Sequence, residues 1–448
     1  MRSDAQGLTI ATDSDAAAVA FAQTVEAFAK YRTDTMPRLE QVLAADPGFA
    51  LAHALKGYLV MLSSNRANLP LAASALAAGE AAAARATPRE RQHLAALAAW
   101  QRGDLDAALA AWEAILVDHP TDLLALRLSH FNYFWLGRAT DMRASVERAA
   151  PHWNDRLPGF GTVLAMRAFG AEECGDYQAA ERDGRRAVEL DPADLWATHA
   201  VAHALEMQGR ADDGVAWLEA LAPRWGDANN MVHHLWWHRA LFHLERGETD
   251  AVLALYDARI RNLHSPLVRA LPDLYIDIQN AAALLWRLEH VGVAVGARWA
   301  ELADKAEPRI GDHALLFTVP HFMMALAALE RDAAAARLLD ALRDFAASGA
   351  GTLAPIAGAV ALPVCAAVLA HRKAEHGRVL ALLLPVRDRL WQLGGSHAQR
   401  DVFNQMLIDS AVASGRPDLA RGLLDETTTA WTVGPNRRGY ARALAAVA

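Results

Sequence analysis

Apolar positions recur along most of the chain at the three-to-four-residue spacing of one helix face, and no stretch of note alternates with the period of two that marks a strand. Glycine-centred phrases punctuate these stretches: QRGDLDAALAAW at Gly103, WLGRATDM at Gly137, ECGDYQAAERDGRRA at Gly175, MQGRADDGVAWL at Gly209 and ERGETDAVLALY at Gly247. Successive glycines are 34, 38, 34 and 38 residues apart. A period in this range, with a small residue five positions after the glycine and a proline near the end of the unit, is the signature of the tetratricopeptide helix-turn-helix. Gly103, Ala108, Trp112 and Pro120 fit it, as do Gly175, Ala180, Ala187 and Pro192. Glycine ends the first helix in a left-handed turn, and small residues in the second let the two helices approach.

With this phase fixed, weaker copies fall at Gly292, near Arg331, at Gly377 and at Gly415, and two degenerate ones precede Gly103. The expectation is an all-α, tetratricopeptide-like α-solenoid, a superhelix of about eleven helical hairpins. It forms one domain over residues 1–448, with the clearest repeats at about 89–260 and divergent ones at 273–448. Longer joints fall at Leu263 to Asp273 and Ser348 to Pro355, where proline and glycine cluster.

Composition narrows the class. The chain has 448 residues, 53% of them hydrophobic and 21% charged, and 44 basic against 52 acidic side chains leave a formal charge of −8. A mildly acidic protein lacks the basic surface that neutralises phosphate backbones, so neither nucleic acid nor an anionic membrane is an expected partner. Two cysteines, Cys174 and Cys365, offer no disulfide framework and read as small buried residues of a reducing compartment. The start, MRSDAQGLTI, carries Asp4 and no long apolar run, so it does not read as a signal peptide and the cytoplasm is expected. Ala346 to Ala370 is uncharged and exceeds the ~20 residues of a membrane span, but Pro355, Pro363 and several glycines suit a loop and a buried soluble helix better.

In such arrays the first helix of each hairpin faces the concave side. On that face the phase places His199, His203 and Glu206, then His234 and Trp237 with His238 one position off it, and Gln279, Trp286, Glu289 and His321 further on. At 100° per residue the first three lie at about 0°, 40° and −20°, a narrow stripe. Two histidines at i, i+4 can share a divalent transition metal, which makes His199, His203, His234 and His238 candidate ligands. The same stripe can hold a neutral histidine as general base oriented by Glu206, or it can be hydrogen-bonded core. Trp112, Trp135, Trp217 and Trp431 fit hairpin cores, and Trp237 and Trp286 fit a groove wall.

Gly394-Gly395-Ser396 has the look of a phosphate loop, but Ser396 with Gln399 three residues later is a capping box that starts a helix. Arg400 and Asp401 follow it. Asp312 and His313 stand at an expected helix start, near His321. No Walker loop, GxGxxG turn, HExxH or GxSxG motif is present.

Four phrases carry a resemblance. WATHAVAHALEMQG from Trp196, HLWWHRAL from His234, DHALLF from Asp312 with His321-Phe322, and QLGGSHAQRDVFNQ from Gln392 closely resemble the tetratricopeptide repeat protein 38 family, in order and over nearly the full length from about Ala20. The resemblance implies a cytosolic tetratricopeptide-like solenoid and no particular reaction. It implies that His199, His203, Glu206, His234, Trp237, His238, His313, His321, Gln399, Arg400 and Asp401 are motif residues. Leu235 stands where that family usually has asparagine, and the position of His397 varies in it, so neither inherits a role.

Two functions follow as expectations. One is a binding protein whose concave His/Trp/Glu groove takes a small polar ligand or a peptide, with Trp237, His313, His321, Gln399, Arg400 and Asp401 as contacts and the convex face open to homodimerisation. The other is a small-molecule hydrolase or lyase, metal-dependent or not, with His199, His203, Glu206, His234 and His238 as catalytic groups. A chaperone-type carboxylate clamp is disfavoured, because His, Trp and Glu occupy the positions where such clamps carry Lys and Asn.

Overall fold

The structure is a computed structural model describing residues 1–430 and 437–448, so Trp431 lies outside the described residues. It is all-α and tetratricopeptide-like; the described strands are one short antiparallel ribbon, Arg2–Ser3 with Thr9–Ile10. The chain packs as two compact units, one of Met1–Phe134, Arg138–Val201 and Pro223–Asn229, the other of Trp135–Gly137, Ala202–Ala222 and Asn230–Ala448.

The first unit holds five hairpins: Asp15–Ala29 with Thr35–Ala45, Ala50–Met61 with Leu69–Ala81, Pro88–Gln101 with Leu105–Asp118, Leu123–Trp135 with Ala139–Ala149, and Phe160–Glu173 with Tyr177–Leu190, of which Trp135 and the turn through Gly137 are grouped with the second unit. A sixth, Leu195–Met207 with Ala211–Leu221, contains the unit boundary inside its first helix. The second unit adds five: Met231–Glu245 with Thr249–Leu255, Tyr275–His290 with Arg298–Ala306, Thr318–Ala328 with Asp332–Ser348, Leu362–Arg372 with His376–Leu383, and His397–Ala413 with Pro417–Ala430. Eleven hairpins are therefore present among the described residues.

The turn glycines act as their phase requires. Gly103, Gly137, Gly175, Gly209 and Gly247 all hold positive φ, between 68 and 81°, where a Cβ is strained and glycine is not. After two of them an aspartate caps the next helix: Asp104 accepts from the Ala107 amide at 3.0 Å and Asp176 from the Ala179 amide at 3.2 Å. The small second-helix positions are tight, since a Cβ at Gly184 would stand 2.6 Å from Val201 Cγ2. Two late turns differ from the phase. Their left-handed residues are Glu330 and Ala374, not Arg331 or Gly377, and Gly377 lies inside its helix.

The first unit also buries an ion network. Asp122 caps the helix it precedes through the Ala125 amide and takes Arg89 Nη1 at 2.5 Å and His93 Nε2 at 3.1 Å. Burial works against its charge, and His93 and Arg89 overcome that, so the carboxyl stays well below its usual range.

In the second unit, Leu353–Arg372 is long and apolar enough to cross a membrane by length and composition. Ala354, Val360, Ala361, Val364 and Cys365 on it are nevertheless fully buried in that unit. Its turn widens over Ala357–Ala361, just before Pro363, which has no amide to donate and crowds the carbonyl four residues back. Cys174 is exposed at a helix C-terminus, unlike the buried Cys365.

Candidate functional site

The helices Leu195–Met207 and Met231–Glu245 each repeat histidine at i, i+4, so each presents two rings on one stripe. Within the second unit, His203, His234 and His238 offer nitrogen atoms that all lie within 4.8 Å of one another. Ring centroids are 4.4 Å apart for His203 and His238 and 4.7 Å apart for His234 and His238. His199 stands one turn before His203 on the same helix, on the first unit's side of the boundary, stacked on Trp196 with ring centroids 4.7 Å apart.

Two rings are fixed by specific acceptors. His238 Nδ1 meets Glu206 Oε2 at 2.8 Å, and His234 Nδ1 meets Asn280 Oδ1 at 2.9 Å. Trp237 stacks on His234 with centroids 5.2 Å apart, and its indole is fully buried. Burial first, then the neighbouring imidazoles, hold His234 well below the usual histidine range. Burial, His203 and Arg287 do the same to His238. Burial raises the carboxyl of Glu206, opposed by Arg437, His203 and Arg287.

Charged groups surround the rings. Arg437 Nη2 lies 3.4 Å from Glu206 Oε1 and its Nη1 lies 3.5 Å from Asp401 Oδ2. Asp401 also accepts from Gln405 Nε2 at 2.6 Å and from the Tyr440 hydroxyl. Arg287 is buried, donates to the Ala398 carbonyl at 2.9 Å and lies over the Trp237 ring. The site thus holds two carboxylates, two guanidinium groups and three imidazoles. Its histidines, Glu206 and Asp401 are at most 4% exposed, so the face read from sequence as a groove lining lies in the interior.

Not all predicted contacts converge here. Gln399 completes the capping box with Ser396, receiving the Ser396 amide at 2.9 Å. Arg400 donates to the carbonyls of Gly394 and Gly395, so both are spent on that helix start. A Cβ at Gly394 would stand 2.2 Å from the Trp135 carbonyl oxygen and one at Gly395 2.7 Å from the Phe317 ring, so close packing explains the Gly-Gly pair. His313 is half-buried and stacks on Phe345. His321 gives its Nδ1 to the Phe317 carbonyl at 2.8 Å, and burial pushes it down to about 4. Asp312 does not cap a helix: it pairs with Arg309 and the Ala314 amide in a loop, and the helix begins at Thr318.

Sequence reasoning missed Arg287, Asn280, Gln405, Arg437 and Tyr440. Arg287 and Asn280 sit one position beyond Trp286 and Gln279, which were recognised, so a wider stripe would have found them. Arg437 and Tyr440 lie after the last hairpin, where the repeat gives no phase.

No family model matches the chain. Among curated proteins, cellulose synthase 2 operon protein C of Komagataeibacter xylinus is 29% identical over 219 residues, covering 48% of this chain and 16% of its own length. The chain therefore spans about a sixth of that relative. Among solved structures, Naa15/Naa10 bound to HypK-THB matches with TM-score 0.26 and 12% identity, over 92% of this chain and 63% of the other. The P58(IPK) TPR domain matches with TM-score 0.22 and 12% identity, over 81% of this chain and 98% of the other. Superpositions that loose carry no argument about the site, and the tetratricopeptide-like reading rests on the chain's own hairpins, turns and period.

Proposed function

We propose that the protein is a tetratricopeptide-like binding protein whose site is the interior His203/His234/His238 cluster, and that this cluster holds a divalent transition metal ion through which a small polar ligand is bound. The observation that carries the reading is the orientation of two rings. With Nδ1 of His238 on Glu206 and Nδ1 of His234 on Asn280, Nε2 is the lone-pair nitrogen of each neutral ring. Carboxylate and amide acceptors behind imidazoles are the usual outer support of histidine metal ligands. Three imidazoles suit zinc, and also iron, nickel or copper.

When bound, such an ion polarises a carbonyl or lowers the pKa of a water. The chain's residues do the rest. Glu206 fixes the tautomer of His238 and strengthens it as a donor, while Asn280 does the same for His234. Arg287 and Arg437 offset the two carboxylates and favour an anionic or strongly polar ligand.

A second reading, a small-molecule hydrolase or lyase, is favoured by Glu206. Its carboxyl is raised by burial and bonded to an imidazole, the pairing a proton transfer needs with or without the ion, and His199 stands one turn away on the same helix. The helical-hairpin fold supports a protein-interaction scaffold, so a peptide or a second copy of the chain belongs to the same proposal as partner. Membership of the tetratricopeptide repeat protein 38 family is proposed with it, supported by the convergence of His203, Glu206, His234, His238 and Asp401 on one site, and a cytosolic setting is proposed only as what that membership implies.

Metal analysis of untagged protein purified without chelator tests the reading. We expect a transition-metal equivalent that disappears in His238→Gln and in His203→Ala while the helical circular dichroism is retained. Wild-type protein that carries no such equivalent, and takes none up, would remove the metal and leave the acid–base site.

A further inference from the structure

A second cluster lies in the same unit, on other helices. His371 closes the helix Leu362–Arg372, His376 opens the next one, and Asp409 comes from His397–Ala413. One ligand atom from each lies within 4.8 Å of the other two. His371 Nε2 is 3.0 Å from Asp409 Oδ2, and His376 Nδ1 is 3.2 Å from the Ser410 hydroxyl. The turn between the helices brings the two rings to a centroid distance of 5.7 Å.

The setting differs from the interior triplet. His371 and His376 are half-buried, and His371 and Asp409 line a cavity of about 320 Å³ whose other walls include Trp286, Trp299 and Met324. Arg442 at Asp409 Oδ1, 3.4 Å away, is the facing cation, and its side chain is two-thirds exposed at 67%, so it can swing away. The neighbouring His290 is spent on the Gly439 carbonyl at 3.0 Å.

We propose that His371, His376 and Asp409 form a second divalent transition-metal site, open to this cavity and independent of the interior triplet. Two imidazoles and one carboxylate are a ligand set for zinc, iron, manganese, cobalt or nickel, and three protein ligands leave positions for water or an exogenous ligand. Tetrahedral bonds of ~2.0–2.1 Å place ligand atoms ~3.4 Å apart. His371 Nε2 and Asp409 Oδ2, 3.0 Å apart, already stand near that spacing, and a pair at the 4.8 Å limit has to close by at most about 1.4 Å, which half-buried side chains at a helix junction accommodate. The cavity supplies room for the exogenous ligand beside the ion.

Cobalt(II) titration of the metal-stripped full chain tests this, read by the visible absorption of the bound ion and by equilibrium dialysis. Wild type is expected to take up one equivalent more than His376→Ala, with His371→Gln behaving like His376→Ala. His203→Ala is expected to leave that equivalent in place. Equal uptake by wild type and His376→Ala, with both folded by circular dichroism, overturns the proposal. If only the interior triplet fails, wild type binds one equivalent and His376→Ala none, so the two sites fail distinguishably. Should His371→Gln unfold, the His376→Ala comparison decides alone, because that side chain is half-buried and its loss leaves no core cavity.

Discussion

At the scale of single residues, buried charge separates those that hold the fold from those that strain it. Asp122 is satisfied by a guanidinium, an imidazole and a helix amide. Asp122→Ala leaves Arg89 buried without its main partner and is expected to cost about 3 to 5 kcal/mol in chemical denaturation. Asp194 occupies the same capping position before Leu195–Met207, accepting from the Ala197 amide at 2.9 Å, but burial outweighs that amide and Arg127 and raises its carboxyl from 3.8 to about 6. The fold therefore favours the protonated form: its contribution is present below pH 3.8 and is lost as pH rises through about 6. Asp194→Asn keeps an oxygen for the cap and sheds the charge. Its melting temperature should match wild type near pH 4 and exceed it at pH 7.5, by a stability on the order of 2 kcal/mol. In the site, Glu206→Gln should weaken metal binding ~10- to 100-fold by dialysis, because it alters the support of His238 without touching the imidazoles.

At the scale of the element, what was legible in the sequence is what glycine and periodicity encode. The 34- to 38-residue phase placed five turn glycines, and all five hold positive φ. It failed at Glu330 and Ala374, because a left-handed residue need not be glycine, and a glycine nearby drew the phase to Gly377. The histidine stripes were legible because i, i+4 spacing is a local property of a helix. Their burial was not, since spacing places a side chain on a face and says nothing of what later covers it. Arg437 was illegible for the same reason: its approach to Glu206 joins positions 231 residues apart. A paired substitution separates strain from packing. Gly175→Ala meets open space and should cost about 1 to 2 kcal/mol of left-handed strain. Gly394→Ala adds to similar strain a contact of 2.2 Å with the Trp135 carbonyl and should cost clearly more in the same denaturant titration.

At the scale of the whole molecule, each unit has its own chemistry. The first carries the Asp122 network, and the second carries both histidine clusters. A ligand that binds only the folded state stabilises by about 2.7 kcal/mol at a hundredfold excess over its dissociation constant. Zinc added to metal-stripped protein should therefore slow amide exchange in Met231–Glu245 more than in Pro88–Gln101, as read by hydrogen-exchange mass spectrometry. Equal change in both helices would speak against a site in the second unit.

The most direct test of the central claim is anomalous diffraction, collected at the absorption edge of the bound metal from crystals grown without chelator. The account predicts a peak about 2.0–2.1 Å from one nitrogen each of His203, His234 and His238, with Glu206 still on His238 Nδ1 and Asn280 on His234 Nδ1. Density without an anomalous signal there, in crystals soaked with zinc, would contradict it and make the three histidines a hydrogen-bonded part of the core.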